Sequence, residues 1–342
     1  MLRKAWYMAA WSSEVGAQLL RRRILGTPIL LYRLDDGDAT ALTDRCPHRF
    51  APLSMGERQG DAIRCGYHGL TFDAAGQCIH NPFSPTLPRG ASVRRWPLVE
   101  RDGIVWLWAG AAECADAASI PDFAMLDRPC GPPLTGMMTM RADYQYGTDN
   151  LMDLSHIEFV HKGSFAGAGV IFAGRHDLRE DGDTLHSNWW MPGVPAPPHT
   201  HGIYETGMPT DHWLDMRWNA PASMYLQVGA TPVGRPRDEG VIVHQAHILT
   251  PESDGSAHYF WASTRSGDRA DPGADAYLRQ LLGQAFDDED KPMIQAAFAN
   301  LDGVDFWDAK PAFLGIDAGG TRARRKLQQM IAREGGQQET QA

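Results

Sequence analysis

A chain of 342 residues with a hydrophobic content of 43% is long enough for two separately cored domains and needs no disulfide or metal staple to reach stability. Its net charge of −10 argues against a nucleic-acid partner, whose affinity rests on clustered Lys and Arg, and no run approaches the roughly 18 apolar residues of a membrane span. The N-terminus turns polar at Ser12 and Glu14 before a secretory apolar stretch forms, so a cytoplasmic protein is expected, with no membrane and no nucleic acid among its partners.

In chain order, residues 5–45 alternate short apolar runs such as Ile29-Leu30-Leu31-Tyr32 with turns such as Asp35-Asp36-Gly37-Asp38, the grammar of hairpins. The pattern resumes at Gly69-Leu70-Thr71-Phe72 and closes with Val99 to Trp108, predicting a small all-β unit. A connector rich in Ala, Pro and Asp follows from Ala111 to Pro133, which puts a domain boundary there and divides the chain into 1–112 and 113–342. The two parts differ in charge: residues 1–110 hold 14 Lys+Arg against 10 Asp+Glu, and the remainder 18 against 32. A basic first module could attract an acidic electron donor, although chance surface charge explains the imbalance equally well.

Met137 to Val160 opens with strand-like alternation and becomes helical around Asp149 to His156. Strands are expected at 184–190, 213–218, 223–228, 241–249 and 258–262, forming a larger antiparallel sheet. Met191 to His199 is too rich in proline for a ladder and reads as a loop. Residues 274–300 look helical with a break near Pro292, and a last helix over Thr321 to Arg333 should stop at Gly335-Gly336. The fold class is α+β.

Two stretches carry chemistry. Sixteen residues separate His48 of Cys46-Pro47-His48-Arg49 from Cys65 of Cys65-Gly66-Tyr67-His68, and each half offers one thiolate and one imidazole. Structural zinc sites prefer like ligands in each half. Mixed halves suit a two-iron cluster in which one iron takes both thiolates and the other both imidazoles, the Rieske arrangement, which serves as a one-electron relay. Of five cysteines, Cys78, Cys114 and Cys130 then remain as buried or free thiols. A relay needs only one small domain, so something downstream should receive the electrons.

The second stretch runs from Asp149 to His161. On an ideal helix Asp149, Asp153 and His156 share one sector and His161 lies off it, so a helix end or local widening between the two histidines is required to bring both to one ion. A two-histidine, one-carboxylate iron site needs a further carboxylate, for which Asp287-Asp288-Glu289-Asp290 is the richest supply. Spacing alone does not choose among those four.

These residues, with Ala5-Trp6-Tyr7, His247-Ile248-Leu249-Thr250-Pro251-Glu252 and Ile316-Asp317-Ala318-Gly319-Gly320, resemble the oxygenase components of Rieske non-haem iron oxygenases, in the vanillate and dicamba O-demethylase branch. The resemblance implies an N-terminal Rieske domain, with Cys46 and Cys65 on one iron of a [2Fe–2S] cluster and His48 and His68 on the other. It implies a helix-decorated antiparallel-sheet catalytic domain in which His156, His161 and Asp290 hold a mononuclear Fe(II). Chains of this family form head-to-tail trimers, with Asp153 matching the carboxylate that bridges cluster and iron histidines across the interface. For substrate contacts it points to His247, with Gln227 and His244 as further candidates. Leu226 stands where an amide is expected, and Leu281 where the family can carry an aromatic. Trp189, Trp190, Trp213 and Trp218 are pocket walls or core.

The function so implied is a terminal monooxygenase that O-demethylates a methoxylated aromatic acid using O2. Its electrons come from NAD(P)H through a reductase with a flavin and a ferredoxin-type cluster. One oxygen atom enters a methyl C–H bond, and the hemiacetal collapses to a phenol and formaldehyde. Hydroxylation of an aromatic methyl group, as on a methylated sulfonate or carboxylate, is the alternative within the class. From other classes, an electron carrier with a non-catalytic second domain and a zinc-binding structural protein stand as rivals.

Overall fold

The computed structural model describes residues 1–127, 131–162, 164, 169–265 and 272–339; Cys130 lies outside them. The chain divides into two compact units, Met1–Ile120 with Thr250–Asp254, and Pro121–Leu249 with Gly255–Ala342.

The first unit is built from short strands: β1 (Trp6–Trp11), β2 (Leu20–Ile24), β3 (Thr27–Arg33), β4 (Ala39–Thr43), β5 (Glu57–Gln59), β6 (Ala62–Arg64), β7 (Thr71–Phe72), β8 (Cys78–His80), β9 (Leu98–Arg101) and β10 (Ile104–Trp108). They make three sheets, ordered β1-β10-β9, β2-β3-β4 and β5-β6-β7-β8. Alternating apolar residues turn inward, and Leu30, Tyr32, Leu42, Ile63 and Phe72 form one core with Cys46 and Cys65. Full burial of a side chain such as Phe72 contributes roughly 1.5–3 kcal/mol. Residues 250–252 complete this unit: Leu25 N donates to Pro251 O (2.8 Å), Gly26 N to Glu252 O (2.9 Å), and Thr250 Oγ1 to Met8 O (2.7 Å).

The second unit holds a seven-stranded sheet from β11 (Leu134–Met140), β12 (Arg175–Asp181), β13 (Thr184–Pro195), β14 (Pro209–Asn219), β15 (Ser223–Pro232), β16 (Val241–Ser253) and β17 (Ser256–Ser263), ordered β11-β17-β16-β15-β14-β13-β12. Its strands are longer than the sequence pattern suggests. β13 continues through Pro192 to Pro195 with a register shift between Met191 and Val194, so the expected loop at 191–199 is strand as far as Pro195. The bulge accommodates the proline, and Gly193 N finds an acceptor in Asp211 Oδ1 at 3.0 Å.

Its helices are α1 (Tyr144–Met152), α2 (Ile157–Val160), α3 (Pro272–Gly283), α4 (Lys291–Ala299) and α5 (Ala318–Glu339), with a π-helix over Gln284–Asp290 joining α3 to α4. The expected break near Pro292 is therefore a widening upstream of it, and Pro292 sits in the first turn of α4, directly after the π-helix. The last helix runs past Gly335-Gly336 to Glu339. At its other end, a Cβ on Gly319 would lie 2.6 Å from Met152 O, and one on Gly320 2.9 Å from Asp149 Oδ1. The glycine pair lets α5 lie directly on the end of α1. Arg324, one turn on and 4% exposed, grips the Asp149 carboxylate at 2.7–2.9 Å.

Candidate metal centres and cavity

In the first unit, two loops of matching construction present the mixed ligand pairs. Phe50 N closes on Cys46 O at 2.9 Å and Gly69 N on Cys65 O at 3.0 Å, each four residues on and each with positive φ, 60° and 74°. Glycine takes this conformation without strain, whereas Phe50 stores roughly 1–2 kcal/mol there. Asp44 anchors the first loop, accepting from Ser54 N and Ser54 Oγ at 2.7 Å each and pairing with Arg21 at 3.1 Å. Both cysteines are free thiols at 2% exposure, the Cys46 thiol hydrogen-bonded to Cys65. Burial pushes the Cys46 thiol up to about 11, so without a metal it stays protonated. The His48 and His68 rings meet edge to face, 4.5 Å between centroids, and His68 Nδ1 is buried without a hydrogen-bond partner. A buried imidazole nitrogen left bare beside a pair of buried thiols fits a two-iron cluster.

In the second unit, His156, His161 and Asp290 bring one ligand atom each within 4.8 Å of the others. His156 Nε2 and His161 Nε2 each lie 3.4 Å from an oxygen of Asp290. The expected helix end between the histidines is present, and a second break precedes it. The helix stops first at Asp153 (φ −122°, ψ 89°), before His156, which dissolves the shared sector of Asp149, Asp153 and His156. A 3₁₀ turn, Leu154–His156, feeds α2, and His161 stands where α2 ends (φ −97°, ψ 21°). The widening lies instead at the carboxylate, because Asp290 closes the π-helix.

Each ring is held from behind. His156 donates Nδ1–H to Asp153 O (2.6 Å) and His161 to Glu289 Oε2 (2.7 Å), so both Nε2 lone pairs face the shared point. Glu289 also accepts from Ser164 Oγ (2.9 Å) and Gln284 Nε2 (2.9 Å), and Asn150 Nδ2 donates to Asp290 Oδ1 (3.2 Å). Burial alone would raise the Asp290 carboxyl, but hydrogen bonds and attraction from His156 and His161 reverse this and hold it far below the usual carboxylate range. Burial lowers the His161 pKa, yet Asp290 and Glu289 together carry it above the ordinary imidazole value. Two imidazoles and one carboxylate beside open space suit a non-haem iron. Asn150 and Ser164 carry no sequence signal for this site, and Glu289, one of the four candidate carboxylates, holds a ligand's ring rather than the metal point.

That space is a cavity of about 730 Å³ bordered by all three residues. His247 lines it, with Leu226, Leu281 and Gln245. Gln227 and His244 do not: strand alternation turns them to the opposite face, where Gln227 Oε1 accepts from Trp213 Nε1 (2.9 Å) and His244 Nδ1 lies 2.7 Å from the Tyr225 hydroxyl. Neither Trp189, Trp190, Trp213 nor Trp218 borders the cavity; Trp213 and Trp218 are fully buried core. His247 is part of a closed chain, donating Nε2–H to Gln245 Oε1 (3.3 Å) and accepting at Nδ1 from Tyr259 (2.7 Å), and burial lowers its pKa to about 4. On its other side His156 borders a surface cleft of about 290 Å³ shared with Asp149, Asn150 and Asp153. The Asp153 carboxylate there accepts from Ser155 N (3.0 Å).

Residues 5–96 match the Rieske [2Fe-2S] domain and residues 140–333 the vanillate O-demethylase oxygenase C-terminal domain. The oxygenase component of dicamba O-demethylase from Stenotrophomonas maltophilia is 36% identical over 96% of this chain and 97% of its own. The oxygenase component of chloroacetanilide N-alkylformylase from Rhizorhabdus wittichii is 36% identical over 98% and 97%. Crystal structures of dicamba monooxygenase superpose closely. One with dicamba bound gives a TM-score of 0.92 at 35% identity, covering 98% of this chain and 99% of that one; another, with non-haem iron and dicamba, gives 0.84 at 34% and the same coverage.

Proposed function

Because the chain belongs to the Rieske oxygenases with a vanillate O-demethylase-type catalytic domain, we propose that it is the terminal component of a multicomponent monooxygenase that O-demethylates a methoxylated aromatic substrate. The observation that carries this reading is the convergence of His156, His161 and Asp290 on the wall of a cavity large enough to bury a drug-sized ligand. When bound, the cluster supplies single electrons and the mononuclear iron activates dioxygen.

The chain's own part is placement. Asp153 O and Glu289 fix the imidazole tautomers, and apolar side chains such as Leu226 and Leu281 exclude water from the reacting methyl. Overall, methyl ether, O2, two electrons and two protons give hemiacetal and water, and the hemiacetal collapses to phenol and formaldehyde. The electrons come from a partner reductase, in keeping with the component nature of the relatives.

The same reading makes the working unit a head-to-tail trimer in which a cluster histidine of one copy approaches Asp153 of the next. Two features support it. Asp153 and His156 open together onto the surface cleft, and the cluster loops expose Phe50 (68%), Met55 (77%) and Tyr67 (63%), apolar surface suited to an interface. The deciding experiment is a turnover screen of the holoenzyme with reductase against methoxylated and methylated aromatics, acids included. Formaldehyde release establishes O-demethylation; hydroxylated methyl groups would establish the alternative chemistry, and no product from any member would refute both.

A further inference from the structure

The cavity has a second polar end. On the sheet face that lines it, Val243, Gln245 and His247 alternate inward along β16, and cross-strand pairing sets Leu226 opposite Gln245 and Val228 opposite Val243. Beyond them, His212 of β14 pairs with Ala230, itself opposite Val241. The rows of His247 and His212 are therefore six residues apart along β16, about 20 Å at about 3.3 Å per residue. His247 marks the metal end, its ring 5.4 Å from Phe286, which sits in the same π-helix as Asp290. Beyond Gln245 the wall between is apolar, with Leu214, Val228 and Val243.

At the far end His212 and His199 stand 5.7 Å apart between ring centroids, and both line the cavity. His212 donates Nδ1–H to Gly229 O at 2.7 Å, which leaves a lone pair on Nε2. His199 Nε2 is buried with no hydrogen-bond partner. Burial lowers His212 to about 4 and His199 to about 3, so both rings are neutral near pH 7. Among the described lining residues Arg265 is the one Lys or Arg, and Asp275 holds its guanidinium at 2.6 and 2.7 Å. A carboxylate would meet lone pairs and no uncommitted Lys or Arg among the described lining residues. His199 has a backbone partner in Val241, so its free Nε2 is, like that of His212, an acceptor in the neutral ring, and a hydroxyl fits by donating to the pair.

We propose that the cavity takes an elongated, two-ring aromatic ether whose end remote from the metal group is an uncharged hydroxyl that donates to the acceptor pair His212 and His199. The proposal rests on the reading of His156, His161 and Asp290 as the demethylating centre, and its test separates the two.

Binding to the anaerobic holoenzyme is measured for 4′-methoxybiphenyl-4-ol, 4-methoxybiphenyl, 4′-methoxybiphenyl-4-carboxylate and the one-ring 4-methoxyphenol, followed by formaldehyde release with reductase and O2. The two-ring alcohol should bind about 10-fold or more tighter than the other three, the order expected for a buried hydrogen bond made or missed. His212→Asn keeps a donor for Gly229 O and deletes the inward ring nitrogen, so it should narrow the gap between the alcohol and 4-methoxybiphenyl. His199→Phe should narrow the gap similarly, giving a second variant should the first fail to fold. Equal binding of alcohol and carboxylate, undiminished preference in the folded variants, or equal binding of the one-ring phenol would overturn the proposal. A preserved preference without formaldehyde from any ether would refute the demethylase reading and leave the binding site standing.

Discussion

The His161 imidazole is clamped by Glu289, Nδ1 to Oε2 at 2.7 Å, while its Nε2 lies 3.4 Å from Asp290, the next residue along the π-helix. Consecutive residues thus take opposite sides of one ring, which a 3.6-residue helix would separate by about 100°.

Removing the clamp should loosen the metal without removing a ligand. Glu289→Ala is expected to weaken iron binding by about 10–100-fold, and Glu289→Gln by much less, since its amide oxygen still accepts from Nδ1–H. Iron titration of the stripped protein gives the comparison; equal affinity in both variants and wild type would remove Glu289 from the site.

The two metal centres should be lost independently. Asp290→Ala is expected to abolish turnover and mononuclear iron while keeping the visible absorption of the cluster, and His48→Ala to abolish turnover and the cluster while keeping the mononuclear iron. Iron counts of about two and about one per chain are the expected readouts. Simultaneous loss of both metals in either variant would contradict the assignment.

Asp153→Asn should retain both metals and lose roughly 100-fold in turnover, because the ligands remain and only the proposed bridge is altered. Mixing Asp290→Ala chains with His48→Ala chains should restore part of the activity if electrons cross between copies. Wild-type rates in the Asp153 variant, or no recovery on mixing, would sink the route.

Acid should destabilise the second unit earlier than its carboxylates require. His199, His212 and His247 are depressed to about 3, 4 and 4 by burial, whereas the unfolded chain protonates them near the ordinary imidazole value of about 6.5. The unfolded state therefore binds more protons below about pH 6.5, and stability falls as pH drops from there toward about 4. Thermal midpoints measured between pH 7.5 and 5 should decline, less steeply for His212→Asn; a parallel decline would exclude His212 as a contributor.

Legibility followed the range of the interactions. Cys46, His48, Cys65 and His68 sit on two short loops, so spacing alone indicated a two-metal cluster. Asp290 lies 129 positions beyond His161, and its selection from four acidic neighbours depends on a π-helix that no local pattern announces. Gln227 and His244 failed as cavity residues through strand parity: one position to either side, Leu226, Val228, Val243 and Gln245 all face inward. His199 and His212 went unread because one sits on a 3₁₀ turn and the other on β14, and only the folded sheet brings them together.

The π-helix also makes the metal group sensitive to chain length. Its extra width is equivalent to one inserted residue, so deletion of any single residue among 284–289 would let the segment relax to ordinary helical phase. Asp290 would swing by about 100° around the axis and leave His156 and His161 facing one another without a carboxylate. Every ligand would still be encoded, and a frame-preserving loss of three nucleotides would silence an oxygenase whose motifs all read as intact.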